Sequence, residues 1–289
     1  LSNGQVLTIP VGDSSVTGSP VAVRPDDAQA QGDEQIAVSI TTTAGGNYEA
    51  VNTTSTASTT VSDQIANTTL VLSASTNSVA EGGSVIYTAT LNNPVAGAPL
   101  VLTLSNGQTI TIPVGESTGA TAPFLVRADD AYVHGTDILN VSVATQTGGT
   151  FEGLTVTSTA QTSVTDDADQ AVVTVSASSP SVAEGGSITY TVNVSAPVTG
   201  SPFVVTLSNG QVLTIPVGDS FVTGSPVAVR PDDAQAQGNE QIAVSITTTA
   251  GGNYEAVNTT STASTTVTDQ VANTTLVLSA STNSVAEGG

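Results

Sequence analysis

Apolar and polar side chains alternate along most of this chain with a period of two, in short bursts. Across residues 171–270 the bursts read VVTVSA (172–177), SITYTVNVS (187–195), FVVTLS (203–208), VLTIPV (212–217), PVAVR (226–230), QIAVSIT (241–247) and a looser run over 257–268. Each has the pattern of a strand with one face buried, and no window shows the spacing of an amphipathic helix. Asn209-Gly210, between the third and fourth bursts, predicts a type I′ hairpin in which both residues take positive φ. Seven strands in a span of this size predict an all-β, antiparallel two-sheet sandwich of the immunoglobulin-like kind. With no Cys and no Trp, the chain lacks the landmarks of antibody domains.

The bursts recur. LSNG starts at 1, 104 and 207, the Asp-Asp pairs stand at 26, 129 and 232, and the Gly-Gly pairs at 45, 148 and 251, a spacing of 103 residues throughout. A period this long is a whole domain and not a solenoid coil. Residues 1–83 and 207–289 differ only at Ser15/Phe221, Asp33/Asn239, Ser62/Thr268 and Ile65/Val271, so two domain types alternate. The expected organisation is an extended array. It comprises a partial sandwich at 1–65 without its first strands, complete sandwiches at 68–168 and 171–271, and the first strand of a further domain at 274–289. Neighbouring repeats are the expected partners, with other copies of the chain able to add end to end by strand complementation.

Charge narrows the function. The 289 residues carry 24 acidic and 3 basic side chains, a formal net charge of -21. Nucleic acid and anionic lipid are bound through Lys and Arg, so neither is an expected partner. No apolar run approaches the ~18 residues of a membrane span, and LSNGQVLTIP lacks the basic start of a signal peptide, which places any targeting signal outside this span. No Ser/His/Asp arrangement or phosphate loop is present, and no enzymatic activity is expected.

The acids concentrate in particular loops. Strands of alternating direction send every second loop to one end of a sandwich. That end should hold the turn with Glu184, the Asn209 turn, the loop with Asp232, Asp233 and Glu240, and the exit at Asp269. In the second repeat the same places hold Glu81, Asp129, Asp130, Asp137, Asp166 and Asp167, followed by Asp169; in the first they hold Asp26, Asp27, Glu34 and Asp63. Asp219 and Glu255 fall at the opposite end. Carboxylates gathered ~4 Å apart repel by roughly 4 kcal/mol per pair at an effective dielectric of ~20, and the three Arg cannot neutralise them. Oxygen-rich clusters without His or Cys suit Ca²⁺, which takes 6–8 oxygens, better than Mg²⁺ or zinc. Calcium at the ends of successive repeats is therefore the expected cofactor.

Arg24, Arg127 and Arg230 directly precede the acid pairs and should hold a carboxylate or a loop carbonyl. His134, replaced by Gln31 and Gln237 in the other repeats, reads as a loop residue. Tyr48, Phe151 and Tyr254 follow the Gly-Gly turns and read as plugs of the sandwich end.

VAEGG, VTLSNG, TIPVG, the Asp-Asp pair, and Gly-Gly followed by an aromatic and Glu occur in this order. In that set the chain resembles the tandem extender domains of large bacterial RTX adhesins, of the biofilm and ice-binding type. It is also similar to Calx-β domains, which share the Glu-Gly turn and the Asp-Asp pair. The resemblance implies calcium ligands at Glu81, Glu184 and Glu287 and at the three Asp-Asp pairs, and an extracellular place on a bacterial surface. The function it implies is a non-catalytic, calcium-stiffened spacer that holds an adhesive tip away from the cell. A loop-based module for glycan or protein, and a self-assembling matrix filament, are the alternatives.

Overall fold

The computed structural model describes residues 1–288. The chain is all-β and divides into two compact units. One comprises Leu1–Val79, Gly83–Val126 and Asp137–Val164; the other comprises Ala80–Gly82, Arg127–Thr136 and everything from Thr165 onward. The second unit thus takes in the acidic loops of the second repeat together with the third repeat.

The third repeat is a sandwich. One sheet runs Phe221–Thr223, Tyr190–Val194, Gln170–Ala177, Ala256–Asn258; the other runs Ser181–Ala183, Thr262–Thr268, Glu240–Ala250, Phe203–Leu207, Val212–Ile215. The alternation does what it predicts: Val173, Val192, Val205, Ile215, Val244 and Phe203 point inward and are almost fully buried. Each such side chain contributes about 1.5–3 kcal/mol on burial. The second repeat builds the equivalent core in the first unit, from Leu70, Leu72, Tyr87, Leu100, Leu102, Ile110 and Ile112.

Four expectations need correction. The sandwich is not wholly antiparallel, since Gln170–Ala177 pairs parallel with Ala256–Asn258, and Ser181–Ala183 parallel with Thr262–Thr268. The first and last strands each switch sheets midway, which leaves two parallel seams. The Asn209-Gly210 turn is not type I′, because only Gly210 takes positive φ, at 86°. The Gly210 N–H donates to Leu207 O and the Leu207 N–H to Gln211 O, both at 2.9 Å, the pattern of a type I turn closed by a glycine bulge. Nor does that turn reach the acidic end. Ser208 donates to Ser245 O, five residues along the strand that begins at Glu240, which leaves the turn about 16 Å short at ~3.3 Å per residue. Finally, 274–288 forms no strand, with Leu276 94% exposed.

In the first repeat only Glu34–Ser39 and Thr56–Val61 pair as strands. Leu7 and Ile9 are exposed, whereas their equivalents Leu213 and Ile215 are buried against a facing sheet. Half-apolar strands need that second layer to bury against, and nothing faces these residues here.

Candidate metal centre

The acidic end of the second repeat is built on an arginine. Arg127 Nε donates to Glu81 Oε2 at 2.8 Å, and its Nη2 donates to Asp166 Oδ1. Arg230 repeats the arrangement, with Nε to Glu184 Oε2 at 3.0 Å and Nη1 to Gly238 O at 2.9 Å. Arg24 reaches Gly32 O and Asp63. The expectation that these arginines hold a carboxylate or a loop carbonyl is met. Both glutamate side chains are fully buried at 0% exposure, so each carboxylate depends on its arginine.

The Glu-Gly turn brings the Asp-Asp loop onto that carboxylate. The Gly82 N–H donates to Arg127 O, and Gly82 sits at φ +70°, where a Cβ would meet Asp129 Cβ at 3.0 Å. Gly185 faces Asp232 in the same way. Glycine is required here by both conformation and proximity.

Around Glu81 the acids converge. Carboxylate oxygens of Glu81, Asp166 and Glu255 lie within 4.8 Å of one another, as do those of Glu81, Asp129 and Asp167. A third group joins Glu81 and Asp130 to the His134 ring. Glu255 Oε2 accepts from the Asp169 N–H at 2.8 Å, but Glu255 Oε1 and Glu81 Oε1 are buried without a partner. A buried charged oxygen left unsatisfied costs more than the ~1–3 kcal/mol of a neutral one.

The electrostatics follow. The charge of Asp129 pushes the Asp169 carboxyl above its usual range, with Asp167, burial, Glu81 and Asp130 adding. Burial raises Glu255 as well, reinforced by Glu81 and Asp166 and opposed by the Asp169 N–H. Asp166 and Asp130 go the other way. For Asp166, burial is outweighed by the Gly135 and His134 N–H groups and by Arg127. For Asp130, burial is outweighed by the Tyr132 N–H, His134 and Arg127.

The other candidates are less gathered. Asp137 opens an exposed strand outside these groups. Around Glu184, the Glu184 Oε1 accepts from the Gln270 N–H at 3.1 Å and Asp269 Oδ2 from the Gln237 N–H at 3.0 Å. Asp233 caps Gln235, and Glu240 stands 3.9 Å from Arg230 with half its side chain exposed. Among the described residues no three-carboxylate group forms there, nor in the first repeat, where Asp27 and Asp63 hold Gln29 and Gln31, and Asp26 and Glu34 are exposed. Glu287 is exposed in a turn.

Sequence reasoning missed Glu255, which it set at the opposite end of the third repeat, and treated His134 as loop alone. The short linker 166–169 was the available signal, because it leaves the start of the third repeat no room to stand apart from the end of the second. Glu152 occupies the place equivalent to Glu255 in the second repeat. Its Oε2 accepts from the Ala66 N–H, and its Oε1 is buried without a partner.

An all-oxygen donor set with two orphaned buried carboxylate oxygens fits a hard divalent cation. Glu81, Asp129, Asp166, Asp167 and Glu255 would hold it, and calcium tolerates the irregular geometry that magnesium refuses. His134 adds the only nitrogen, too few for a zinc site of the usual kind.

Among solved structures, the chain is similar to a tetra-tandem repeat from the extending region of a large adhesion protein. The identity is 14% and the TM-score 0.30, over 70% of this chain and 49% of that one, so this chain spans about half its length. It is similar to CBD12 from CALX1.2 at 8% identity and TM-score 0.26, covering 68% and 98%. It is also similar to FdeC, an Escherichia coli adhesin, at 17% and 0.25, covering 73% and 68%. A search of curated proteins finds no match. The LapA domain family matches residues 1–64, 66–167 and 169–270, in step with the period read from the sequence. The chain therefore belongs to the LapA domain family, as three successive copies of that domain.

Proposed function

We propose that this chain is a calcium-stiffened spacer from a large bacterial surface adhesin, projecting a binding tip for adhesion or biofilm formation. The observation that carries the reading is the meeting of Glu81 with Glu255, residues of successive repeats whose buried Oε1 atoms lack donors while Asp129, Asp166 and Asp167 crowd round. Without a cation this end is repulsive. With one, the same carboxylates become ligands that tie the linker 166–169 to both repeats and stiffen the joint. The extracellular setting agrees with the family, and no helix of the described residues is long and apolar enough to cross a membrane.

Calcium titration by calorimetry, paired with solution scattering in calcium and in chelator, tests this. Binding that raises the melting temperature and lengthens the particle supports it. A melting temperature and maximum dimension indifferent to calcium would leave the acids as solvated loops.

A further inference from the structure

The loop after each Asp-Asp pair does more than present carboxylates. In the first unit the Ala30 N–H donates to Thr150 O at 2.6 Å and the Glu152 N–H to Ala28 O at 3.3 Å, an antiparallel bridge between Gln29 and Phe151. In the second unit the Val133 N–H donates to Asn253 O at 3.0 Å and the Glu255 N–H to Ala131 O at 3.1 Å, the same bridge between Tyr132 and Tyr254. The residue at the centre of each loop then reaches across to one carbonyl of the following repeat. Gln29 Nε2 donates to Pro94 O at 3.2 Å, and Tyr132 Oη to Pro197 O at 2.7 Å. Two different side chains thus satisfy equivalent acceptors.

The surroundings of the two bridges differ. Gln29 Oε1 accepts from the Thr150 hydroxyl at 2.9 Å, so the first bridge is polar. The Tyr132 ring stacks on Tyr254 with centroids 5.7 Å apart and planes at 23°, and Tyr254 in turn meets Phe203 of the core edge-on. Asn253 Nδ2 adds a bond to Val133 O at 2.9 Å. No bond of either bridge uses a side-chain carboxylate.

We propose that this loop is a docking surface for the Gly-Gly-x-aromatic-Glu edge of the following repeat, closed by a β-bridge latch that holds without any cation. Calcium would then stiffen a joint that is already registered. The third repeat carries the same surface open: Asp233 caps the loop, Gln235 and Ala236 are exposed, and the Ala236 amide donates to nothing among the described residues. Its occupant is a repeat of the 66–167 type, since Gln235 matches Gln29, which receives Thr150 and Phe151 of that type. The matching open edge is in the first repeat, where Tyr48 is 78% exposed and the Glu49 amide donates to nothing among the described residues.

Hydrogen exchange on the full chain in excess chelator tests the latch against its open equivalents. Two added hydrogen bonds should make the amides of Ala30, Val133, Glu152 and Glu255 about tenfold slower than those of Glu49 and Ala236. Tyr132→Gln should speed Val133 and Glu255 several-fold. It should leave Ala30, Glu152 and the core strand Gln170–Ala177 unchanged, which shows the fold intact. Lengthening the chain past Gly289 by a copy of residues 84–167, which completes the repeat that 272–289 begins, should slow Ala236 to the rate of Ala30. All six amides exchanging alike in chelator would overturn the latch, and an Ala236 rate indifferent to the extension would overturn the docking surface. An absence of any calcium effect would sink the stiffening reading while leaving both results standing.

Discussion

The acidic ends around Glu81 and around Glu184 share a plan and differ in charge. Both bury a glutamate at 0% side-chain exposure against an arginine. Both set an Asp-Asp loop on a Glu-Gly turn, and both close on an aspartate at the strand exit. At Glu184 the second carboxylate oxygen receives the Gln270 N–H, and the carboxylate is satisfied within one repeat. At Glu81 the position of Gln270 is taken by Asp167, and Glu255 stands opposite, so the second oxygen has no donor. The Arg-Glu hub is therefore part of the sandwich itself. Among the described residues a three-carboxylate group arises only where a further linker acid and the edge of the next repeat are added to it.

The hub should give the largest effect. Glu184→Ala removes the carboxylate that meets a largely buried Arg230 and should cost about 3 kcal/mol of metal-free stability in urea unfolding, whereas Glu81→Ala should cost less, because Arg127 keeps Asp166 and the crowding of acids is relieved. Equal, small losses well under 1 kcal/mol would mean the hub is decoration. Next comes calcium, which at a hundredfold excess over Kd adds about 2.7 kcal/mol by binding only the folded form. Glu255→Gln should abolish most of that gain, whereas Glu240→Gln should leave it nearly intact. Calorimetry in which both variants bind like the parent would erase the difference between the two ends.

A pH series sharpens the comparison further. Asp169 and Glu255 have carboxyls raised in the fold, so each prefers its proton there and penalises the metal-free protein at neutral pH. Stability should therefore rise as the pH falls from 7 toward the carboxylate range, because the native state takes up protons first. Asp130 and Asp166 are lowered, and their contribution is present above the ordinary 3.8 and lost as pH falls through their folded values. Asp169→Asn should flatten the first rise and leave the acid-side loss unchanged, as read by thermal melts in chelator. The smallest effect belongs to Tyr132→Phe, which deletes one hydroxyl donated to Pro197 O. It should cost about 1 kcal/mol or less of metal-free stability. A larger loss would show the hydroxyl, and not the ring stack, holding the second latch.

Much of this molecule was legible in one sequence. Period-two alternation located most strands of the third repeat to within a few residues, because a side chain's face in a strand is set by its own position, but it missed the short strands Ser181–Ala183 and Phe221–Thr223. The repeat of Arg, Asp-Asp and Glu-Gly named the residues of the hub, whose contacts lie within one domain, but left open whether each arginine held a carboxylate or a loop carbonyl. What the alternation could not carry was pairing. The sequence ANTTLVLSASTNSVAEGG occurs twice, at 66–83 and 272–289. In the first copy Leu70 and Leu72 are buried in a strand between two neighbours; in the second Leu276 and Leu278 are over nine-tenths exposed and no strand forms. Identical residues differ because a strand's backbone bonds and its buried face both come from partners far along the chain. Glu255 makes the same point for the site. Its carboxylate was placed at the right end of the third repeat, but its meeting with Glu81 was missed because that depends on how one repeat follows another. By itself the sequence determined the sandwich, the period and the acidic loops, while tertiary structure decided which carboxylates would meet, because only packing brings the charges of successive repeats within reach of one another.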